Sequence, residues 1–124
     1  DENDQFNNMP YVRLAETYLL AAEAEFRLGK LEEAKNHINA LRTRSNATPI
    51  LAADVTVEYL LDERARELLS EEHRRYTLNR FGLLVSRTLQ YNKFSEITER
   101  DILYPLPQNF IDSNEGPTPQ NPQW

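Results

Sequence analysis

No cysteine occurs in this chain, which excludes disulfides, thiol nucleophiles and cysteine-ligated metals. Glycine is scarce, with three in 124 residues, so there is no glycine-rich loop to cradle a phosphate. Basic residues are in the minority: fourteen Lys and Arg face twenty Asp and Glu, for a formal net charge of -6. Phosphate contacts need the opposite balance, which argues against nucleic acid or an anionic membrane surface as the main partner. The sequence leaves room for a local basic face around Arg74 to Arg80. No apolar run approaches the ~20 residues of a membrane-spanning helix, and no signal peptide is visible. The opening at Asp1, without an initiator methionine, carries the expectation of a piece processed or cut from something longer.

What is present is ordinary for a globular domain, with 40% apolar and 27% charged residues. The length suits one domain with a modest core. The densest charged segment is Glu63 to Gly82, ERARELLSEEHRRYTLNRFG. Val57, Leu60, Leu61, Leu68 and Leu69 form an apolar stripe of 3.6-residue period leading into it. Asp62 to Arg66, and Glu71 to Arg74 or Arg75, have the spacing of local helical ion pairs, the reading of a solvated face. The sharper reading makes Arg64, Arg74 or Arg80 a partly buried bridge to another element, because a planar guanidinium holds carboxylates and carbonyls bidentately.

Along the chain, Leu14, Ala15, Tyr18, Leu19, Ala22 and Phe26 predict a helix starting near Tyr11, with Pro10 at its entrance, where a missing N–H costs little. Gly29 and Lys30 break it. Leu31, Ala34, Ile38 and Leu41 then predict a second helix, with Glu32 and Glu33 at its positive N-terminal end. So tight a turn makes the two helices antiparallel, and the alanines let their backbones approach. The spacing is that of a tetratricopeptide repeat. Pro49 ends the pattern, and with Pro49 following, the sequon Asn46-Ala47-Thr48 reads as chance. Asp54 or Thr56 is placed to cap the next helix. The prediction is therefore all-α: one helical domain over 1–124, with a helix hairpin at 11–45, a second helix pair at 55–86, and a loop and extended tail at 87–124. Periodicity is expected to dissolve near Ser86, leaving Gln90 to Asp101 irregular. Pro105 and Pro107 extend the chain into a proline-rich strap, with a helical turn at Gln108 to Ile111. A tail that ends on the only tryptophan, Trp124, is expected to dock that ring.

Candidate chemistry is thin. The serines lack a nucleophile-elbow setting, and nothing in the pattern would raise the pKa of one central carboxylate selectively. Glu33 and His37 lie four apart on one helix without a third ligand, so no metal and no cofactor is expected, and His37 reads as a residue of the hairpin seam or surface. No enzymatic activity is expected. Among the aromatics outside the helices, Tyr91, Phe94 and Trp124 are the candidates for stacking on a ligand such as a sugar ring. The same rings are compatible with a protein contact or with plugging the strap onto the helices.

The run Pro10-Tyr11-Val12-Arg13-Leu14-Ala15-Glu16, then Tyr18-Leu19-Leu20 and Ala22-Glu23-Ala24, resembles the opening of the C-terminal region of the SusD/RagB family. Glu63-Arg64, Glu67-Leu68, Glu71, His73-Arg74, Leu78, Arg80 and Gly82 are similar to that family's central motif. Tyr104-Pro105-Leu106-Pro107 and Gln120-Asn121-Pro122 resemble its end. The chain departs from the pattern at Glu72, Arg75 and Thr77 and at the closing Gln123-Trp124. The resemblance implies the C-terminal scaffold of a cell-surface lipoprotein of Bacteroidetes-type bacteria, built on tetratricopeptide-like helix pairs and anchored in the outer membrane through an N-terminal lipid outside this chain. Such proteins capture glycans or other nutrients without chemistry of their own and pass them to a TonB-dependent transporter. In this setting Arg13, Glu16, Glu63, Arg64, Glu67, Arg74 and Arg80 are motif residues with a structural role, and ligand contacts are expected elsewhere. The competing reading is a helical-repeat adaptor that holds a protein or peptide in the hairpin groove. Too few helix pairs to cover both faces of a stack also lead to an expectation of self-association, or of pairing with a missing N-terminal part.

Overall fold

The computed structural model describes residues 11–124, which form six α-helices and two 3-10 turns and no strand. Pro10 lies outside the described residues. The fold is all-α, and the chain divides into two compact units, one ending at Glu72 and one spanning His73–Trp124.

In the first unit, α1 (Leu14–Arg27) and α2 (Leu31–Arg44) form an antiparallel hairpin of the tetratricopeptide kind. The turn follows from Gly29, whose φ of +75° suits a residue without a Cβ. Around it the N–H of Gly29 donates to the carbonyl of Phe26 and that of Lys30 to Glu25, which satisfies two orphan carbonyls of α1. Asn46, at φ +54°, closes α2 in the same way, with Ala47 N–H donating to the carbonyl of Arg42. Helix α3 (Val57–Glu67) packs on α1. Of the two residues placed to cap it, Thr56 does so, its hydroxyl accepting from Tyr59 N–H at 3.1 Å. Asp54 instead accepts from Leu51 N–H and caps the 3-10 turn Ala52–Asp54.

Two apolar clusters hold these helices together. Ala22, Ala34, Ile38, Val55 and Leu60 form one, and Ala15, Leu19, Leu41 and Leu68 the other. Each large side chain among them contributes roughly 1.5–3 kcal/mol by leaving water. Asn39 pins the loop back onto α2 by exchanging two hydrogen bonds with the backbone of Ile50.

Helix α1 begins at Leu14, three residues later than the pattern from Tyr11 predicts. Its buried face runs through Ala15, Leu19 and Ala22, which leaves Leu14, expected on the core stripe, 68% exposed. Leu69 is likewise exposed rather than part of the α3 stripe. The helix has already ended at Leu68, so helical spacing no longer decides where residue 69 points.

In the second unit, α4 (Arg74–Arg80), α5 (Leu84–Tyr91) and α6 (Gln108–Ser113) are short. Gly82, at φ +68°, ends α4. The helical pattern does not dissolve near Ser86: α5 continues to Tyr91, and a 3-10 turn, Glu99–Ile102, interrupts the stretch expected to be irregular. The residues for which a second helix pair is expected, 55–86, thus hold α3, α4 and the start of α5. Helix α6 confirms the turn expected at Gln108 and adds two residues to it.

The strap is closed by its own tail. Pro105 and Pro107 offer no N–H, and side chains from the C-terminus take up the carbonyls around them. Gln120 accepts from Leu106 N–H at 2.7 Å and donates to Leu106 C=O at 2.9 Å, the exchange a neighbouring strand would make. Asn121 donates to Tyr104 C=O. Trp124 Nε1 donates to the carbonyls of both Arg100 and Leu103, at 3.1 Å each, and the Arg100 guanidinium stacks 4.2 Å from its ring. The tryptophan docks, as a ring at a chain end should.

Candidate functional site

Charged side chains between Glu63 and Glu72 form three groups, each with a partner on or just before the α1–α2 hairpin. In the first, Glu67 Oε1 accepts from Arg13 Nη1 at 2.8 Å and from Arg44 Nη2 at 2.6 Å. Arg13 also donates to the Glu67 carbonyl and, through Nε, to Glu71 at 2.6 Å. The hydrogen bonds to Glu71 and Glu67 hold the Arg13 guanidinium even more firmly protonated than usual.

In the second group Arg64, only 1% exposed, donates from Nε to Glu72 at 2.5 Å and from Nη2 to Glu16 at 3.3 Å. Its Nη1 is buried without a hydrogen-bond partner among the described residues. The third group centres on buried Glu63, whose Oε2 accepts from Arg42 at 3.0 Å and from Arg66 at 2.6 Å. Both guanidiniums lie near the Tyr59 ring, at 6.0 and 5.5 Å. Burial raises the Tyr59 pKa, with Glu63 adding to the effect and Arg42 and Arg66 opposing it. At Arg66, burial lowers the pKa, but the hydrogen bond and charge of Glu63 outweigh it and the net shift is upward.

Arg66 pairs with Glu63, and Glu71 pairs with Arg13. Five of the seven motif residues, Arg13, Glu16, Glu63, Arg64 and Glu67, meet in these groups. Arg74 opens α4 in the second unit, and Arg80 closes it with its guanidinium 6.0 Å from the Phe81 ring. Arg75, read from the sequence as a partner for Glu71 and a departure from the family pattern, and Asn79, which the sequence did not single out, reach the strap. Arg75 stacks on Tyr104 at 4.4 Å and donates to Asp101 C=O, and Asn79 donates to Ile102 C=O. Their i,i+4 spacing on α4 is the signal that could have found them.

Such groups bind helices to each other. With each acid engaged by guanidiniums, Glu63 and Glu67 have no geometry for acid–base catalysis. Among the described residues no cluster of three His, Cys, Asp or Glu could hold a metal. His37 lies in the hairpin seam, its ring 6.0 Å from that of Tyr18. The aromatic candidates have different surroundings. Tyr91 meets the Arg87 guanidinium at 4.9 Å, Phe94 is 97% exposed, and Trp124 is docked on the strap. Cavities occur in both units. An open groove of about 430 Å³ runs along the hairpin between Leu14 and Tyr18 on α1 and Ala40 and Arg44 on α2. A smaller one of about 270 Å³ lies between Asn79, Ser86 and Glu99 in the second unit. No helix among the described residues is long and apolar enough to cross a membrane.

Known proteins share much of this sequence. The chain is 36% identical over 115 residues to the starch-binding protein SusD of Bacteroides thetaiotaomicron, covering 88% of this chain and 20% of that protein. It is 39% identical over 102 residues to the SusD-like protein P25 of Formosa agariphila, covering 73% of this chain and 19% of that protein. The chain thus spans about a fifth of the length of these curated relatives. No solved structure matches it. The model of the SusD family matches residues 1–99, across the hairpin and all three ion-pair groups, and the chain belongs to that family.

Proposed function

We propose that this chain is the C-terminal scaffold part of a longer nutrient-binding protein at the cell surface. In this reading the whole protein captures glycans without covalent chemistry and passes them to a TonB-dependent transporter in the outer membrane, to which an N-terminal lipid anchors it. The carrying observation is the 36% identity to a starch-binding protein across the hairpin and its ion-pair groups. Supporting it, the charges that looked like a candidate site are occupied in joining α1, α2 and α3, which is what a scaffold requires. Its ligand contacts are then supplied mainly from outside these helices.

The test is a panel of neutral and acidic polysaccharides run against the full-length protein by affinity electrophoresis and calorimetry. Retardation by at least one glycan, with no reducing ends released, is the expected result. Binding of peptides and of no glycan would sink the glycan reading. Pull-down from outer membranes with the full-length protein as bait should bring down a TonB-dependent transporter, and recovery of none would remove that partner.

A further inference from the structure

The cavity of the second unit, about 270 Å³ in volume, lies between the end of α4, the start of α5 and the 3-10 turn Glu99–Ile102. Its inner wall is aliphatic: Leu84 is buried, and Val85 and Ile102 are half-buried. Ser86 and Glu99 are exposed and stand at the mouth. Gly82 leaves that mouth unobstructed, with open space where a Cβ would stand. Three polar groups on the lining have no hydrogen-bond partner among the described residues: the Glu99 carboxylate, the Ser86 hydroxyl and Asn79 Oδ1. The Asn79 amide is held in one direction, since its Nδ2 donates to Ile102 C=O at 3.1 Å, so the oxygen is the end left over. Glu99 is not needed to close its own turn, which Thr98 and Asp101 cap between them.

No Lys or Arg among the described residues lines this cavity. Arginines of the unit sit over aromatic rings instead, Arg75 on Tyr104, Arg87 on Tyr91 and Arg100 on Trp124. A carboxylate without a cation, beside neutral acceptors and next to an aliphatic wall, is complementary to a cation that only donates and that travels on an apolar stem. We propose that this cavity binds a primary ammonium group on a short aliphatic stem, of the kind a lysine side chain presents. An ammonium has three donors and no acceptor, which equals in number the acceptors that Glu99, Ser86 and Asn79 supply. The methylenes of the stem leave water against Leu84, Val85 and Ile102. An anion is opposed by Glu99, and an uncharged alkyl chain gains nothing from it.

The test is methyl NMR on the full-length protein with Leu, Val and Ile labelled, so that Leu84, Val85 and Ile102 report from the wall. n-Butylamine at neutral pH is expected to shift these methyls saturably. Glu99→Gln, an exposed substitution that breaks no hydrogen bond of the fold, should weaken the amine about threefold, the scale of one exposed ion pair. High salt should act in the same direction, and n-butanol should bind less well than the amine. Nα-acetyl-lysine amide separates the sources. Binding equal to that of butylamine points to a lysine on a partner protein, and butylamine alone points to a small free amine, both of them ammonium ligands. The inference is overturned if the three methyls do not move with the amine, if butanol binds as well, or if Glu99→Gln leaves the affinity unchanged. The glycan panel, run on the same full-length protein, reports on the proposed function independently of these shifts.

Discussion

Arg64 offers the sharpest quantitative test of the scaffold. Its guanidinium is 1% exposed and donates to Glu72, also nearly buried, and to Glu16, which is one-quarter exposed. Replacing Arg64 with methionine keeps most of the volume and removes the guanidinium that donates to Glu72 and Glu16. Breaking a buried pair on one side costs about 3–5 kcal/mol. Against that, the variant removes the unpartnered Nη1, a burial penalty of about 1–3 kcal/mol. The net expectation is a loss of about 2 kcal/mol, a large share of the stability of a small domain. Urea unfolding followed by helix ellipticity measures it, with the slope checked for a constant m-value. Combining Arg64→Met with Glu72→Leu should recover much of the loss, because two apolar side chains then share the site and Glu16 can hydrate. The cycle should show a coupling of about 2 kcal/mol. A loss under about 0.5 kcal/mol for Arg64→Met, or strict additivity in the cycle, would refute the picture of a buried, structure-holding arginine.

Other expectations are smaller in scale. Gly82→Ala should cost about 1 kcal/mol, since φ is +68° and open space around the added Cβ leaves backbone strain as the whole effect. Ser70→Gly should have the opposite sign, a gain of about 0.5 kcal/mol, because Ser70 already sits at φ +64°. Equal signs in the two melts would contradict the backbone assignment. The Asp101 carboxylate accepts the backbone N–H and the hydroxyl of Thr98, which lower its pKa below the ordinary carboxylate value. Its contribution is therefore present above the unfolded pKa and lost as pH falls through the lower folded one. NMR titration of the carboxyl carbon should show the depressed midpoint, and Thr98→Ala should return it toward normal. Tyr59 has the reverse linkage: burial raises its pKa, so its contribution is present below the unfolded value and lost as pH rises through the folded one. Ultraviolet titration should find a late-ionising tyrosine, and Tyr59→Phe should delete it.

Much of the hairpin was legible because local chemistry specifies it. Gly29 and Gly82 are the residues that left-handed helix ends favour, and Asn46 is the next best, so the ends at 28, 45 and 81 announce themselves. Serine does not mark such a position. The left-handed turn at Ser70 was therefore invisible, and Leu69 was counted on a helix that had already stopped. The tail was legible for a similar reason: prolines remove donors, so the Gln120, Asn121 and Trp124 side chains had carbonyls to find. What the sequence could not show is which acid meets which arginine. Arg13 and Glu67 lie 54 positions apart, and their pairing depends on where α3 lands on the hairpin, which the apolar clusters decide. Local helical spacing offered Asp62 to Arg66 and Glu71 to Arg74 instead. Pairs of that local kind are worth only about 0.2–0.5 kcal/mol each, so helical spacing alone does not identify the long-range partners. The motif arginines and glutamates were thus recognisable as a group before the structure, while their partners were a consequence of packing. This is also why Glu63, Arg64 and Glu67 read as scaffold: their charges face the hairpin they fasten.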